Sequence, residues 1–158
     1  MQLVLFTGIP AAGKSSFYRE RFADTHVRIN LDMLRTRHRE RLLFAACLEA
    51  KAAVVVDNTN PTRADRARYI EAAKAAGFEV VGFYFRSVVA ECVERNAARS
   101  DAQRIREGGI THAATRLERP EPSEGFDQLF YVRLSDDGFL VEDWSGQIRV
   151  GDRGPDSR

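Results

Sequence analysis

At 158 residues, with 44% hydrophobic and 30% charged residues, the chain has the composition of one soluble globular domain with a sizeable core. A formal net charge of +1 argues against bulk nucleic-acid binding and leaves room for a local basic groove. No apolar run reaches the ~18 residues of a membrane helix, no basic leader precedes the first apolar run, and Cys47, Cys92, His26, His38 and His112 form no metal-ligand spacing, so no membrane partner and a reducing cytoplasm are expected.

Leu3 to Thr7 is a continuous apolar run, expected as a strand buried on both faces. Gly13 or Lys14 to about Phe22 reads as a helix, Val27 to Asn30 as a short strand, and Leu31 to about Ala50 as one helix. In that helix Leu31, Leu34, His38, Leu42 and Ala45 are spaced for one face. Ala53 to Asp57 is the clearest strand, broken by Asn58-Thr-Asn-Pro61. Thr62 with Asp65 three residues later resembles a capping box, and Gly77 is placed to end the helix between them. Glu79 to Phe85 is a fourth strand and Val88 to Ala97 a further helix. Ser100 to Gly109 is a polar, arginine-rich segment before a short helix, Ile110 to Leu117. The prolines of Glu118 to Gly125 mark a loop, Leu129 to Leu134 is a fifth strand, and Ser135 to Gly138 is a turn into an extended Phe139 to Trp144. The polar residues 151–158 are expected to fray, leaving one domain over 1–150. Both cysteines fall in apolar helical patterns and are expected as buried thiols.

Strands alternating with helices predict a three-layer α/β fold, a five-stranded, mostly parallel sheet with helices on both faces. In such folds ligands collect at the carboxyl ends of the strands. Gly8-Ile-Pro-Ala-Ala-Gly13-Lys14-Ser15 lies at the end of the first strand and fits G-x-x-x-x-G-K-[ST], the phosphate-binding loop of the P-loop NTPase fold. Gly8, Ala11, Ala12, Gly13, Lys14, Ser15 and Ser16 are the expected nucleotide contacts. There the backbone N–H groups cradle phosphate oxygens, Lys14 reaches the β- and γ-phosphates, and the Ser15 hydroxyl ligates Mg²⁺. The plain structural alternative is a glycine-rich turn capped by a lysine.

Three further polar stretches bear on the acceptor. Asp32 and Arg35 lie three residues apart where the second strand becomes a helix. A carboxylate there could orient a hydroxyl and take its proton late in a loose transition state, and an arginine could hold a second anion. Asp57 ends the third strand, where an acidic residue would face Mg²⁺, and Asn58, Thr59 and Asn60 follow it with polar contacts. Arg95, Arg99, Arg104 and Arg106 surround the polar segment, which reads as an arginine-bearing lid. Spacing leaves open which of them points inward.

The order GIPAAGKSS, INLDMLR, VVVDNTNPTRADRARYI, VERNAAR and RLERPEPSEGF resembles the kinase domain of the polynucleotide 5′-kinase family, over about Leu3 to Leu134. The DNTNP stretch with its RARY helix and the late PSEGF are the most specific parts. The resemblance implies that Asp32 is the general base for a 5′-hydroxyl, that Arg35 contacts the acceptor's phosphate, and that Arg99, near Arg95, is the lid residue on the donor phosphates. Lys14 and Ser15 carry over directly, with ATP and Mg²⁺ as the implied cofactors and 5′-hydroxyl ends of DNA or RNA as partners. The family often has a basic residue where this chain has Leu31, its segment between Arg35 and Ala53 is longer in some members, and Phe139 to Val150 matches nothing in it. Related kinases of the same layout act on sugars, nucleosides or antibiotics, so a small-molecule alcohol stands as the second acceptor class. A nucleotide-binding module without acceptor chemistry is a third reading.

Overall fold

The structure, a computed structural model, describes residues 1–146. The expected tail, 151–158, and the last residues of the expected domain lie outside that range. The strands are β1 (Gln2–Thr7), β2 (Val27–Ile29), β3 (Val54–Val56), β4 (Glu79–Phe85), β5 (Gln128–Ser135) and β6 (Gly138–Asp143). The helices are α1 (Lys14–Arg21), α2 (Leu31–Leu34), α3 (Arg37–Glu49), α4 (Arg63–Ala75), α5 (Val89–Ala97) and α6 (Glu107–Arg116). The sheet order is β2-β3-β1-β4-β5-β6, with β1 to β5 parallel and β6 antiparallel to β5.

The apolar run of β1 is sorted by the pleat. Leu3 and Leu5, with Ile29, Val54, Val56 and Val80, face Phe44 and Cys47 of α3 and Tyr69, Ile70 and Ala73 of α4. Val4 and Phe6, with Val55, Phe85 and Val132, face Phe17 and Tyr18 of α1, Cys92 of α5 and Ile110 of α6. Helices thus cover both faces, as expected, and each fully buried Leu, Ile, Val or Phe contributes about 1.5–3 kcal/mol against exposure. Cys47 and Cys92 are buried free thiols.

Three expectations need correction. The sheet has six strands, not five. A two-residue turn at Asp136 and Asp137 returns the chain along β5, pairing Leu134 with Phe139 and Val132 with Val141. What fixes β6 is aromatic packing at both ends. Phe139 packs against Phe17 at 5.1 Å between ring centroids, and Trp144 against Tyr84 and Tyr131 at 4.9 and 5.1 Å.

The helix expected over Leu31 to Ala50 is two helices. Arg35 takes a left-handed conformation, φ 74°, and Thr36 starts α3 afresh by accepting the Arg39 N–H on its hydroxyl at 3.2 Å. The restart rotates the helix, so Glu40, Phe44 and Cys47 face inward, while Leu42, expected inside, is 52% exposed. Finally, α6 starts at Glu107, ahead of Ile110, and the proline loop holds a short 3₁₀ turn at Pro122–Glu124. The Thr62–Asp65 capping box of α4 forms with both of its reciprocal bonds.

Candidate active site

The loop from Gly8 to Gly13 leaves β1 at the centre of the sheet and enters α1. Its path needs glycine at both ends. A Cβ on Gly8 would lie 2.9 Å from the Phe85 Cβ, and Gly13 has φ 102°. The loop is braced by neighbours distant in sequence. Gly8 N–H donates to Thr59 O at 3.1 Å, Ile9 N–H to Ser87 Oγ at 3.1 Å, and Arg95 Nε to Ala11 O at 2.8 Å. Buried Asn60 reaches back to Phe6 O at 2.7 Å, tying the segment after β3 to β1. The first N–H groups of α1 have no acceptor within the helix and open on the loop's concave side. Ser16 is exposed on that first turn.

Lys14 is only 8% exposed, and its ammonium donates to Gly8 O and Ile9 O, both at 2.8 Å. Burial lowers its pKa to about 8. Asp57 and Cys92 act against that shift, Arg99 adds to it, and Asp32 opposes it more weakly. Asp57, Arg99 and Asp32, three expected site residues, are thus among the charges that act on Lys14.

Ser15 Oγ donates to Asp57 Oδ2 at 3.1 Å, and the Asp57 carboxylate is 1% exposed. A hydroxyl and a carboxylate are hard oxygen donors of the kind Mg²⁺ takes, one or two from the protein and the rest from phosphate and water, so the pair fits that ion. A third member was not anticipated. Arg28, from β2, also donates to Asp57 Oδ2 and Ser15 Oγ. It stands within the short second strand, where only strand alternation could have set it apart.

Asn30 caps α2 by accepting Met33 N–H at 3.0 Å and donates Nδ2 to Asp57 O at 2.7 Å. Asn58 accepts Leu31 N–H at 2.8 Å and donates to Glu40 Oε2 at 3.0 Å. Its amide is thus engaged in fixing α2, while Thr59 braces the loop through its carbonyl. Glu40, 4% exposed, also takes the Tyr69 hydroxyl and Arg37. Burial and that hydrogen bond to Glu40 hold the Tyr69 phenol well above its ordinary range. This network presents Asp32 and Arg35, both exposed and without an ion pair among the described residues.

The polar segment is pinched shut by buried Asn96, which donates to Ile105 O at 2.6 Å and accepts Ile105 N–H at 2.9 Å. This sorts the four arginines. Arg95 holds Ala11, and Arg99 bears on Lys14. Arg104 pairs with Asp101 at 3.1 Å and with carbonyls of its own segment, and Arg106 is exposed at the start of α6. Behind the site, fully buried Arg66 makes a two-pronged ion pair with Glu124 at 2.8 and 3.1 Å and donates to Asn60 O and Pro61 O. It joins the DNTNP stretch to the PSEGF turn, 58 residues later.

Residues 3–120 match the sequence model of an AAA domain family, most of the chain. The chain belongs to that family. It has a P-loop NTPase-like α/β fold, a level broader than the polynucleotide 5′-kinases alone. Among curated proteins it is similar to the bifunctional polynucleotide phosphatase/kinase of Schizosaccharomyces pombe (strain 972), 25% identical over 132 residues. That match takes in 81% of this chain and 32% of the relative, so the chain spans about a third of that protein's length. Among solved structures, Kti12 of Chaetomium thermophilum in complex with ADP-AlF3 is 22% identical with a TM-score of 0.64, over 85% of this chain and 90% of that one. A gluconokinase from Sinorhizobium meliloti 1021 is 19% identical with a TM-score of 0.57, over 82% of each chain. At these identities the structural likeness concerns the fold. No helix among the described residues is long and apolar enough to cross a membrane.

Proposed function

We propose that the protein is an ATP-dependent kinase that transfers the γ-phosphoryl group to a 5′-hydroxyl end of DNA or RNA. The observation that carries this reading is Asp32. Its carboxylate is exposed and without an ion pair among the described residues, on a turn that Asn30 and Asn58 fasten to the end of β3 at Asp57. An acid so placed can hold an incoming hydroxyl beside the outgoing end of a triphosphate lying on the Gly8–Ser15 loop. The loop amides and Lys14 hold the β- and γ-phosphates, and Arg99 neutralises charge on the transferring group. As the bond to the departing ADP breaks, the acceptor oxygen bonds to phosphorus and gives its proton to Asp32. Ser15 and Asp57 are the residues that would hold Mg²⁺, which when bound offsets phosphate charge. Arg35, exposed beside Asp32, supplies a contact for an acceptor phosphate.

The nucleic-acid acceptor draws support from the relative that is a polynucleotide phosphatase/kinase and from the open setting of Asp32 and Arg35. One observation favours a small alcohol instead, the apolar Leu31 beside Asp32 in a chain of formal charge +1. The test is incubation with labelled ATP and 5′-hydroxyl oligonucleotides of DNA and RNA, with sugars and nucleosides alongside. Label on an oligonucleotide is the expected result, and label on the small alcohols alone sinks the polynucleotide reading. A salt titration gives a second check, because a strand held through several phosphates loses affinity steeply as salt rises. Turnover of ATP indifferent to Asp32→Ala would leave only a nucleotide-binding module.

A further inference from the structure

Asp57 is the most enclosed acid of the site, and the cation that touches it is Arg28. Arg28 Nε and Nη2 donate to Asp57 Oδ2 at 2.9 and 2.7 Å, and Nη2 donates to Ser15 Oγ at 2.9 Å. With Ser15 Oγ itself donating at 3.1 Å, three donors converge on Oδ2. A carboxylate oxygen has about two lone-pair sites, so Oδ2 has no room for a metal ion while the guanidinium stays. Oδ1 takes none of these bonds, but a cation on it would lie beside the guanidinium and be repelled by it. Arg28 is not sealed in place. Its side chain is 23% exposed, and its guanidinium carbon already lies 5.3 Å from the centroid of the Tyr18 ring, a cation-holding face it can keep as it leaves Asp57.

We propose that Arg28 is a resident counter-ion of Asp57 that competes with the divalent cation, so that the cation binds tightly only as Arg28 draws away from the carboxylate. The inference rests on the reading of Ser15 and Asp57 as the metal pair. Two consequences follow from it. The buried Asp57 charge is compensated without metal, so the site keeps its shape when no cation is bound. A cation alone binds weakly, and it binds well when a nucleotide adds phosphate oxygens that outweigh Arg28. Arg28 stands two residues before Asn30, whose side chain joins α2 to Asp57 O. The exchange therefore takes place on the strand that carries the acceptor turn.

The test is Mn²⁺ titration of the full chain and of Arg28→Met, without and with ADP, followed by electron paramagnetic resonance. Arg28→Met is expected to bind Mn²⁺ about tenfold tighter than the unaltered protein in the absence of ADP, because the competing state is removed. Its melting temperature is expected to rise more on adding Mn²⁺, because Asp57 then lacks its hydrogen-bonded counter-ion. Equal or weaker Mn²⁺ affinity in the variant overturns the proposal. A second measurement uses only the unaltered protein. The Arg28 side-chain N–H resonance is expected to shift and lose exchange protection on adding Mg²⁺ with ADP. Binding of Mg²⁺ with ADP that leaves this resonance in place defeats the Arg28 inference alone. Failure of the protein to bind ADP or either cation under any condition defeats both it and the kinase reading.

Discussion

The two sides of the candidate site are built in opposite ways. On the donor side Lys14 and Asp57 are buried, and the Gly8–Gly13 loop that leads into Lys14 is fastened by Thr59, Ser87 and Arg95, with Asn60 tying the segment after β3 to β1. On the acceptor side Asp32 and Arg35 stand exposed on a four-residue helix that ends in a left-handed arginine. That turn is held from beneath, through Asn30, Asn58 and Glu40, and not through the side chains it presents. Dipoles fixed in advance stabilise charge without reorganising during reaction, which suits a triphosphate whose form does not vary. Under the proposed function, groups left free suit an acceptor that differs from one kinase to another. A non-glycine residue at positive φ costs of order 1–3 kcal/mol, so the Arg35 turn persists because its surroundings determine it.

The contrast can be broken by substitution, and the largest effect is expected behind the donor side. Arg66→Ala leaves the Glu124 carboxylate buried without its partner and should lower stability by about 3–5 kcal/mol in urea denaturation. Arg66→Met with Glu124→Leu should recover much of that loss, since replacing both members of a buried pair is often near neutral. A loss below about 1 kcal/mol for Arg66→Ala would show that the bracing is not what holds the DNTNP stretch. Next comes Asp32→Asn, which should leave the urea midpoint unchanged within about 0.5 kcal/mol and ATP still bound, while transfer falls by about 100-fold or more. A variant that unfolds early would show that the acceptor side is structural after all.

Asn58→Ala sharpens the comparison at its joint. It strips a hydrogen bond from Leu31 N–H and one from buried Glu40, for an expected loss of about 1–3 kcal/mol. If the turn is held from beneath, this variant should also lose transfer more than nucleotide affinity, measured side by side. The smallest effect lies at the start of α4. Burial would raise the Asp65 carboxyl, but bonds to Thr62 and the charges of Arg68 and Arg116 bring it below its ordinary 3.8. Its contribution is therefore present above that pH and lost as pH falls through the lower folded-state value. Asp65→Asn should flatten the acid limb of the stability profile by about 0.5–1 kcal/mol, as capping substitutions do.

Much of this was legible in local spacing. The β1 run, the Gly8 to Ser15 pattern and the Thr62–Asp65 box each specify their structure within a few residues, and each is where the sequence puts it. The Leu31 to Ala50 stretch misled because a helical apolar pattern can be read through a break. Asn30 and Thr36 are both residues that favour caps, and two caps six residues apart are the available sign that two helices lie there. Arg66 and Glu40 look like surface charges on amphipathic helices, and nothing beside them in the chain says that they are buried.

The sequence by itself determined the alternation of strands and helices, the phosphate-loop signature at the end of β1, and the polar residues that follow the strand ends, because these depend on contacts between near neighbours and on the period of the apolar residues. Only the tertiary structure decided that Arg28 lies on Asp57, that Arg66 pairs with Glu124, and that Phe139 brings a sixth strand into the sheet. Those outcomes join residues 29, 58 and 122 positions apart. Whether a charge or a ring at one end of such a span is buried depends on what the fold sets against it, and that information is not carried by its neighbours in the chain.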